Sequence, residues 1–133
     1  MFGPPGRAYM FLLYGMHWAF NVVVGKEGDP HAVLVRALEP CLGVPLMGAR
    51  RGLSTGDTRL TNGPGKLCVA LGLDGAAYGA DLCGSTVFLA MGERRAPIAR
   101  SSRIGVDYSG EWANKPWRFY ERGNPFVSVP PRH

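Results

Sequence analysis

The sequence is short of several features that define large classes of protein. Of its 133 residues only 19% are charged, and no apolar run is long enough to cross a bilayer. Its three cysteines, Cys41, Cys68 and Cys83, lack the paired spacing of a zinc site or a disulfide framework. Residues 1–6 have neither the basic start nor the apolar stretch of a signal peptide. We therefore expect a cytoplasmic protein with reduced, partly buried thiols, no structural zinc and no membrane contact.

What is present indicates an ordered protein with a modest core. Hydrophobic residues make up 46% of the chain and aromatic residues 11%, which predicts a single folded domain over residues 1–133. Nineteen glycines and eleven prolines divide it into short elements. The 15 Lys and Arg against 10 Asp and Glu give a net charge of +5. That charge favours a polyanionic partner, although many small basic proteins bind no nucleic acid.

The most informative segment is the run of aromatic and apolar residues around Gly15. Residues 8–13 and 18–24 are rich in strand-forming side chains, and Gly15 supplies the positive φ of a tight turn. This pattern predicts a β-hairpin with residues 14–16 at its tip. Tyr14 would then have no core to fill, and in a basic protein such a ring can enter a base stack. The alternative is that Tyr14 packs under a loop.

The remaining pattern predicts a mixed α/β fold with many turns. A turn at residues 62–65 leads into a helix that ends near residue 71, and a loop with one helical turn follows. Arg50, Arg51 and Arg59, with Asp57 among them, mark an exposed loop. Further predicted elements are a helix at 44–51 and strands at 31–38, at 85–90, within 98–106 and at 117–122.

Three polar or aromatic positions inside these elements need an explanation. Arg36 lies in the apolar strand 31–38, where a charge costs several kcal/mol unless a polar group meets it. It either forms a structural pair with Glu39 or backbone carbonyls, or orders a reacting water or a carboxylate in a site; position alone favours the structural role. Asn21, in the second hairpin strand, either holds a turn or contacts a ligand. Phe11 shares a strand face with its neighbours two residues away, which is typical of core.

The segment Gly63-Pro64-Gly65-Lys66 also allows two interpretations. Amides at a helix start beside a lysine form a phosphate-binding seat, but helix caps of this composition are common. The spacing is not that of a P-loop. Near the C-terminus, residues 116–123 alternate aromatic with charged side chains, as in a half-buried strand beside a polyanion.

Taken in order, several of these motifs resemble the alkyladenine (3-methyladenine, methylpurine) DNA glycosylase family. The resemblance runs nearly from end to end. It implies a mixed α/β (α+β) fold in which a curved antiparallel sheet with a protruding hairpin is flanked by short helices. The motifs are Tyr14-Gly15-Met16-His17, Arg36-Ala37-Leu38-Glu39-Pro40, Gly63-Pro64-Gly65-Lys66-Leu67-Cys68, Arg103-Ile104-Gly105, Gly110-Glu111-Trp112, Lys115-Pro116 with Arg118-Phe119-Tyr120, and Gly123-Asn124-Pro125 with Val127-Ser128-Val129.

The resemblance implies base-excision repair of double-stranded DNA by a monomer. Enzymes that act on a base must take it out of the stack, so a damaged purine is flipped out through the minor groove. Its N-glycosidic bond is then hydrolysed without a metal or other cofactor. Tyr14 resembles the wedge that fills the vacated space, and Phe11 the ring that stacks on the flipped base. Asn21 resembles the residue that screens out the exocyclic amine of guanine. Lys66 and Met16 resemble contacts to the DNA backbone.

The resemblance also implies how water is handled. Arg36 resembles a residue that holds the attacking water, with the backbone carbonyl of Val127 as a second contact. The family's general base is a glutamate in a segment upstream of the one at which this chain begins. We therefore expect an N-terminally truncated domain in which that base is missing. Two alternatives stay open, a non-catalytic lesion-binding remnant and a small-ligand or structural protein that has lost DNA binding.

Overall fold

The computed structural model describes residues 3–28, 31–93, 96–104 and 107–128. Backbone contacts divide the chain into two units, Met1–Met91 and Gly92–His133, and each is described by itself. Two helices accompany antiparallel sheets of three and two strands, which confirms the predicted mixed α/β class. The single domain over residues 1–133 stays a prediction. Gly105, Val106 and Val129, which belong to a predicted strand and two motifs, lie outside the described residues.

The first unit contains a three-stranded antiparallel sheet. Its strands are β1 (Ala8–Leu13), β2 (His17–Val23) and β3 (Ala32–Leu34), and β2 lies in the centre. β1 and β2 form the predicted hairpin, with Leu13 paired to His17 across the turn. The turn closes through the Met16 N–H, which donates to the Leu13 carbonyl at 2.9 Å.

The third strand is shorter than predicted. Only Ala32–Leu34 pairs with β2, and the last bond to that strand is from the Val35 N–H to the Phe20 carbonyl at 2.9 Å. The Leu38 N–H donates instead to the Thr61 carbonyl at 3.1 Å. The predicted strand over 31–38 is therefore confirmed only at Ala32–Leu34. Because the chain turns to this partner, Arg36 lies just past β3 and is only partly buried.

Both predicted helices are confirmed. α1 spans Val44–Arg51 and α2 spans Pro64–Leu71, and each is followed by a glycine in the left-handed conformation. A proline occupies the first turn of each, where its missing N–H leaves no intrahelical bond unmade. Arg50 and Arg51 form the last turn of α1 instead of a loop.

One face of the hairpin packs on α2 and forms the main core. Alternate residues of β1 and β2 point to this face, as the pleat of a strand requires. The core also takes in Leu82 from the long connection after α2. Within that connection, Gly75–Ala77 form the predicted helical turn, and the ring of Trp18 lies against Gly75. The buried cluster is Ala8, Met10, Phe20, Leu67, Cys68 and Leu82.

Two predictions for the first unit are wrong. Residues 85–90 form no strand in the described part of the chain, and Phe88, Leu89 and Met91 are exposed. No described strand lies beside this apolar segment to pair with it.

The second wrong prediction is that the thiols are partly buried. Of the cysteines, Cys68 is buried, whereas Cys41 and Cys83 are exposed. Burial raises the pKa of the Cys68 thiol to about 11, so this thiol stays protonated and unreactive at neutral pH.

The second unit is built on a two-stranded antiparallel sheet. β4 (Ile98–Ser101) and β5 (Arg118–Glu121) lie within the two predicted strand regions. The connection contains the 3₁₀ segment Asp107–Asn114, which is interrupted at Gly110, where φ is 64°. No described helix in either unit is long and apolar enough to cross a bilayer.

Replacing Leu67 with alanine tests the packing of α2 on the hairpin. Leu67 has no exposed surface, so Leu67→Ala should lower the free energy of unfolding by about 2–5 kcal/mol, through lost transfer energy and the cavity left behind. Urea unfolding followed by circular dichroism measures the change. Val69 lies on the exposed face of the same helix, and Val69→Ala should change stability by about 0.5 kcal/mol or less. Equal effects of the two substitutions would contradict the described packing.

Candidate active site and nucleic-acid interface

Tyr14 stands at the apex of the hairpin in contact with solvent. It is 92% exposed, and Met16 beside it is also exposed. The alternative in which Tyr14 packs under a loop is therefore wrong. Both central turn residues have positive φ, 53° at Tyr14 and 67° at Gly15, as a type I′ turn requires. This conformation costs a residue other than glycine on the order of 1 kcal/mol. The turn thus holds a bulky ring outward with no packing to compensate.

The tip end of the hairpin lies against the start of α2. A Cβ placed on Gly65 would stand 3.0 Å from the Cβ of His17, closer than almost all real contacts. Glycine at position 65 therefore permits the backbone of α2 to approach the first residue of β2. The contact places the α2 N-terminus beside the strand that leads directly to the hairpin tip.

The N-terminus of α2 has the donors of an anion-binding site. Gly63 occupies the cap position and supplies no side-chain cap. The amides of Gly65 and Lys66 belong to the first turn, whose N–H groups have no acceptor within the helix. The Lys66 ammonium donates to Asn62 Oδ1 at 3.0 Å, which keeps its charge near these amides. The helix dipole adds a partial positive charge, so the end suits a phosphate.

The sheet face opposite the core carries Tyr9, Phe11 and Asn21, and we call these three residues the open face. Phe11 is 48% exposed, so its interpretation as core is wrong. Its ring centre lies 6.5 Å from that of Tyr9 with 26° between the planes, and Tyr9 meets Tyr78 edge-on at 5.5 Å. The two tyrosines therefore support Phe11 from one side, while the remaining ring surface is open.

Asn21 shares this face and is anchored to the neighbouring strand. It lies opposite Tyr9, and its Nδ2 donates to the Tyr9 carbonyl at 3.3 Å. Because the amide end of the side chain is held by a carbonyl, the Oδ1 end keeps a fixed direction. The side chain thus bonds to β1 and does not hold a turn. Its contact with a ligand stays a prediction.

Arg36 lies just past β3, the edge strand of the sheet. The Val35 N–H donates to the Phe20 carbonyl, and Val35 packs against the core. Arg36 follows as a partly buried residue outside the strand. Its contact with a reacting water stays a prediction.

Among the described residues, this face has no acidic side chain from the sheet. The strands contribute the alternate residues of β1 and β2 together with Ala32 and Leu34, and none carries a carboxylate. No group of three His, Cys, Asp or Glu side chains suited to a metal occurs within the described ranges.

Asp57, which lies away from this face, has a strongly lowered pKa. Hydrogen bonds from Arg59 lower the pKa of Asp57 to about 2. This pair closes the exposed 3₁₀ turn Thr58–Leu60.

Val127 belongs to the second unit and follows β5 in a tight turn. The Phe126 N–H donates to Asn124 Oδ1 at 2.9 Å, and the Val127 N–H donates to the Asn124 carbonyl at 3.1 Å. Val127 is partly buried. The role of its carbonyl in holding water stays a prediction.

Sequence reasoning missed the residues that support the predicted site. Tyr78 reaches Tyr9 from a distant part of the chain, and Ala19 gains its position only from the register with Phe11. The contact between Gly65 and His17 is also long-range. Only the two glycines around Pro64 gave a local signal that the backbone there is closely approached.

Comparison with known proteins agrees with the motifs. The family model described as Methylpurine-DNA glycosylase (MPG) matches residues 1–125. A relative from Desulfitobacterium hafniense is 44% identical, with 97% of this chain and 68% of the relative aligned. One from Methanocella arvoryzae is 45% identical over 96% and 64%, and one from Bacillus cereus is 42% identical over 96% and 68%. Each is named "Putative 3-methyladenine DNA glycosylase".

This chain belongs to the methylpurine-DNA glycosylase family. The open sheet face, the exposed hairpin tip and the α2 N-terminus all lie within the matched residues. The chain spans about two thirds of the length of the curated relatives that it matches.

Adding a side chain at position 65 tests the contact between α2 and His17, the first residue of β2. Gly65→Val should lower the free energy of unfolding by about 1–3 kcal/mol, since its branched side chain meets the Cβ of His17. Thermal and urea unfolding measure the loss. Gly56, which has open space where a Cβ would stand, provides the control Gly56→Val, and this substitution should have little effect. A Gly65→Val protein as stable as the control would contradict the close approach.

Proposed function

We propose that this protein is a DNA base-excision repair glycosylase for alkylated or deaminated purines of the 3-methyladenine type. It flips the damaged nucleotide out of duplex DNA and hydrolyses the N-glycosidic bond. One observation carries the proposal. Tyr14 is exposed at the tip of the hairpin whose two strands also carry Phe11 and Asn21. A wedge and a base-sized aromatic surface thus belong to one rigid element.

The hairpin tip opens the duplex from the minor groove. Tyr14 enters the base stack and occupies the space of the extruded nucleotide, which offsets an unstacking cost of a few kcal/mol per step. Met16 follows the DNA backbone beside it. The Lys66 ammonium and the first amides of α2 bind a phosphate near the lesion, which fixes the register of the hairpin on the duplex.

The open face selects the damaged base. A purine nucleotide alkylated at a ring nitrogen such as N3 carries positive charge, and the exposed face of the Phe11 ring attracts a cation more strongly than a neutral base. Asn21, anchored to the Tyr9 carbonyl, cannot swing away, so it excludes the exocyclic amine of guanine by occupying the space beside the base. The two residues together favour lesions over normal purines.

Hydrolysis uses water as the nucleophile. In this proposal the Arg36 guanidinium holds the attacking water, as the resemblance implies. The proposed reaction is monofunctional. Water attacks the sugar directly, and no lysine amine forms a Schiff base with it. A carboxylate acting as general base would contribute roughly 10²- to 10⁴-fold to the rate.

A second candidate function is lesion binding without excision. It is favoured by the sheet face around Phe11, Asn21 and Arg36, to which the described strands contribute no carboxylate. In this case the hairpin and the α2 N-terminus bind damaged duplex as proposed, and the glycosidic bond stays intact. Both candidates require Tyr14, but only excision leaves an abasic site.

Excision from a lesion duplex separates the two candidates. The protein is incubated with labelled duplex containing hypoxanthine or ethenoadenine, treated with alkali, and scored for strand breaks and for retained complex. Breaks beyond those in undamaged duplex identify the glycosylase, and selective retention without breaks identifies the binding module. Tyr14→Ala should reduce either signal at least about tenfold, in line with the few kcal/mol of unstacking that the ring offsets.

The matched control for Tyr14 is Phe88, an aromatic residue that is also exposed in the first unit. Phe88→Ala should leave both signals unchanged. Failure of the parent protein to distinguish lesion from undamaged duplex, with circular dichroism showing an intact fold, would contradict both candidates.

The salt dependence of binding tests the phosphate seat. Lys66→Ala should weaken binding to lesion and undamaged duplex alike, and should reduce the slope of log K against log salt by about 1. Fluorescence anisotropy at several salt concentrations gives the slope. Lys26, exposed in the loop after β2, provides the control Lys26→Ala. An equal change of slope in both variants would show that Lys66 contributes only general charge.

A further inference from the structure

The positive charge of the chain is concentrated in its second unit. Residues 92–133 contain eight Lys and Arg against four Asp and Glu, whereas residues 1–91 contain seven against six. Almost all of the net charge of +5 therefore belongs to the unit that does not carry the hairpin. Such a concentration indicates a binding surface for a polyanion on this unit.

Exposed aromatic rings accompany this charge. Phe119 is 61% exposed, and it lies opposite Arg100, whose guanidinium carbon is 5.3 Å from the ring centre. The half-exposed rings of Trp112 and Trp117 have their centres 5.3 Å apart. Lys115 lies 5.7 Å from the Trp112 ring centre and Arg103 lies 5.2 Å from that of Trp117. We call these six residues the aromatic–cation face.

The two arginines of this face are held by uncharged acceptors. Arg100 Nε donates to the Pro116 carbonyl at 3.4 Å, and Arg103 Nη2 donates to the Trp112 carbonyl at 3.2 Å. Both acceptors are uncharged. Within the described ranges, neither arginine nor Lys115 forms an ion pair with a carboxylate. Arg100 and Lys115 are exposed, so an external anion can reach both charges.

The fourth cation–aromatic pair of the unit provides a contrast. Arg118, 5.1 Å from the Tyr120 ring centre, is buried, and it points to the other side of β5 from Phe119. Arg118 therefore contacts its ring inside the unit, as part of the packing. The three exposed rings are in contact with water over much of their surface, so packing does not explain their contacts with cations.

Nucleic acid with unpaired bases satisfies both properties of the face. An acidic peptide would neutralise the cations but would leave the aromatic surface unstacked, and an intact duplex presents phosphates with its bases enclosed. Unpaired bases stack on exposed aromatic rings while the phosphates meet lysine and arginine. We propose that the aromatic–cation face binds single-stranded nucleic acid, with bases on Phe119 and the two tryptophans and phosphates at Arg100 and Lys115. This binding needs no damaged base and does not rest on the proposed glycosylase activity.

Binding of a labelled, lesion-free oligothymidylate to the full chain tests this proposal. Fluorescence anisotropy should show salt-dependent binding accompanied by quenching of tryptophan emission. Phe119→Ala should weaken the affinity roughly tenfold, as loss of one stacked base does elsewhere. Arg100→Gln should weaken it and lower the salt slope by about 0.7, the share of one phosphate on a single strand.

Matched variants in the first unit provide the controls. Phe88→Ala removes an equally exposed ring, and Lys26→Gln removes an exposed charge outside the face; neither should change the affinity. The proposal is overturned if the parent protein does not bind, if the controls weaken binding as much as the variants, or if Phe119→Ala weakens heparin binding equally. Heparin carries many negative charges on sulfate and carboxylate groups but has no bases. An equal loss of heparin affinity would therefore show that stacking is not involved.

The same assay keeps this proposal apart from the glycosylase function. Tyr14→Ala should bind oligothymidylate as the parent does, while losing its preference for lesion duplex. Loss of oligothymidylate binding in Tyr14→Ala would assign the single strand to the hairpin and overturn the role of the second unit. Loss of lesion preference alone concerns only the proposed function.

Discussion

The packing of one hairpin face against α2 is the constraint on which the candidate site depends. Met10 and Phe20 are buried against Leu67 and Cys68 in a single core. Successive residues of a strand point to opposite sides of the sheet, so the burial of Met10 and Phe20 places Phe11 and Asn21 on the outer face. A register shift of one residue would exchange the two faces and dismantle both core and site. The core and the proposed site thus depend on the same alternation.

The parts of the fold that were predictable from sequence are those with local causes. Prolines in the first turn and glycines after the last fix both helices, and Gly15 fixes the hairpin turn. The failures involve partners far along the chain. The strand 31–38 was extended too far because nothing nearby reveals that Thr61 takes the Leu38 amide. Residues 85–90 have the composition of a strand, yet no described strand lies beside them.

The resemblance named Tyr14, Phe11, Asn21 and Arg36 as candidate site residues, and their roles stay predictions. The match to the methylpurine-DNA glycosylase model confirms the family. The sequence did not show how these residues are arranged. The anchoring of Asn21 to β1 and the support of Phe11 by tyrosines follow only from the register and the tertiary contacts. Sequence also suggested a basic, aromatic C-terminal part, whereas the pairing of each exposed ring with a cation required the structure.

The central claim is that Tyr14 takes the place of a nucleotide that has left the stack. Its position at a strained turn makes sense if the ring must be presented before DNA arrives. The most direct measurement is the fluorescence of 2-aminopurine placed next to the lesion in a duplex, which rises when its neighbour is unstacked. We predict a rise on binding of the parent protein and none with Tyr14→Ala at saturating protein. An equal rise with both proteins would contradict the account.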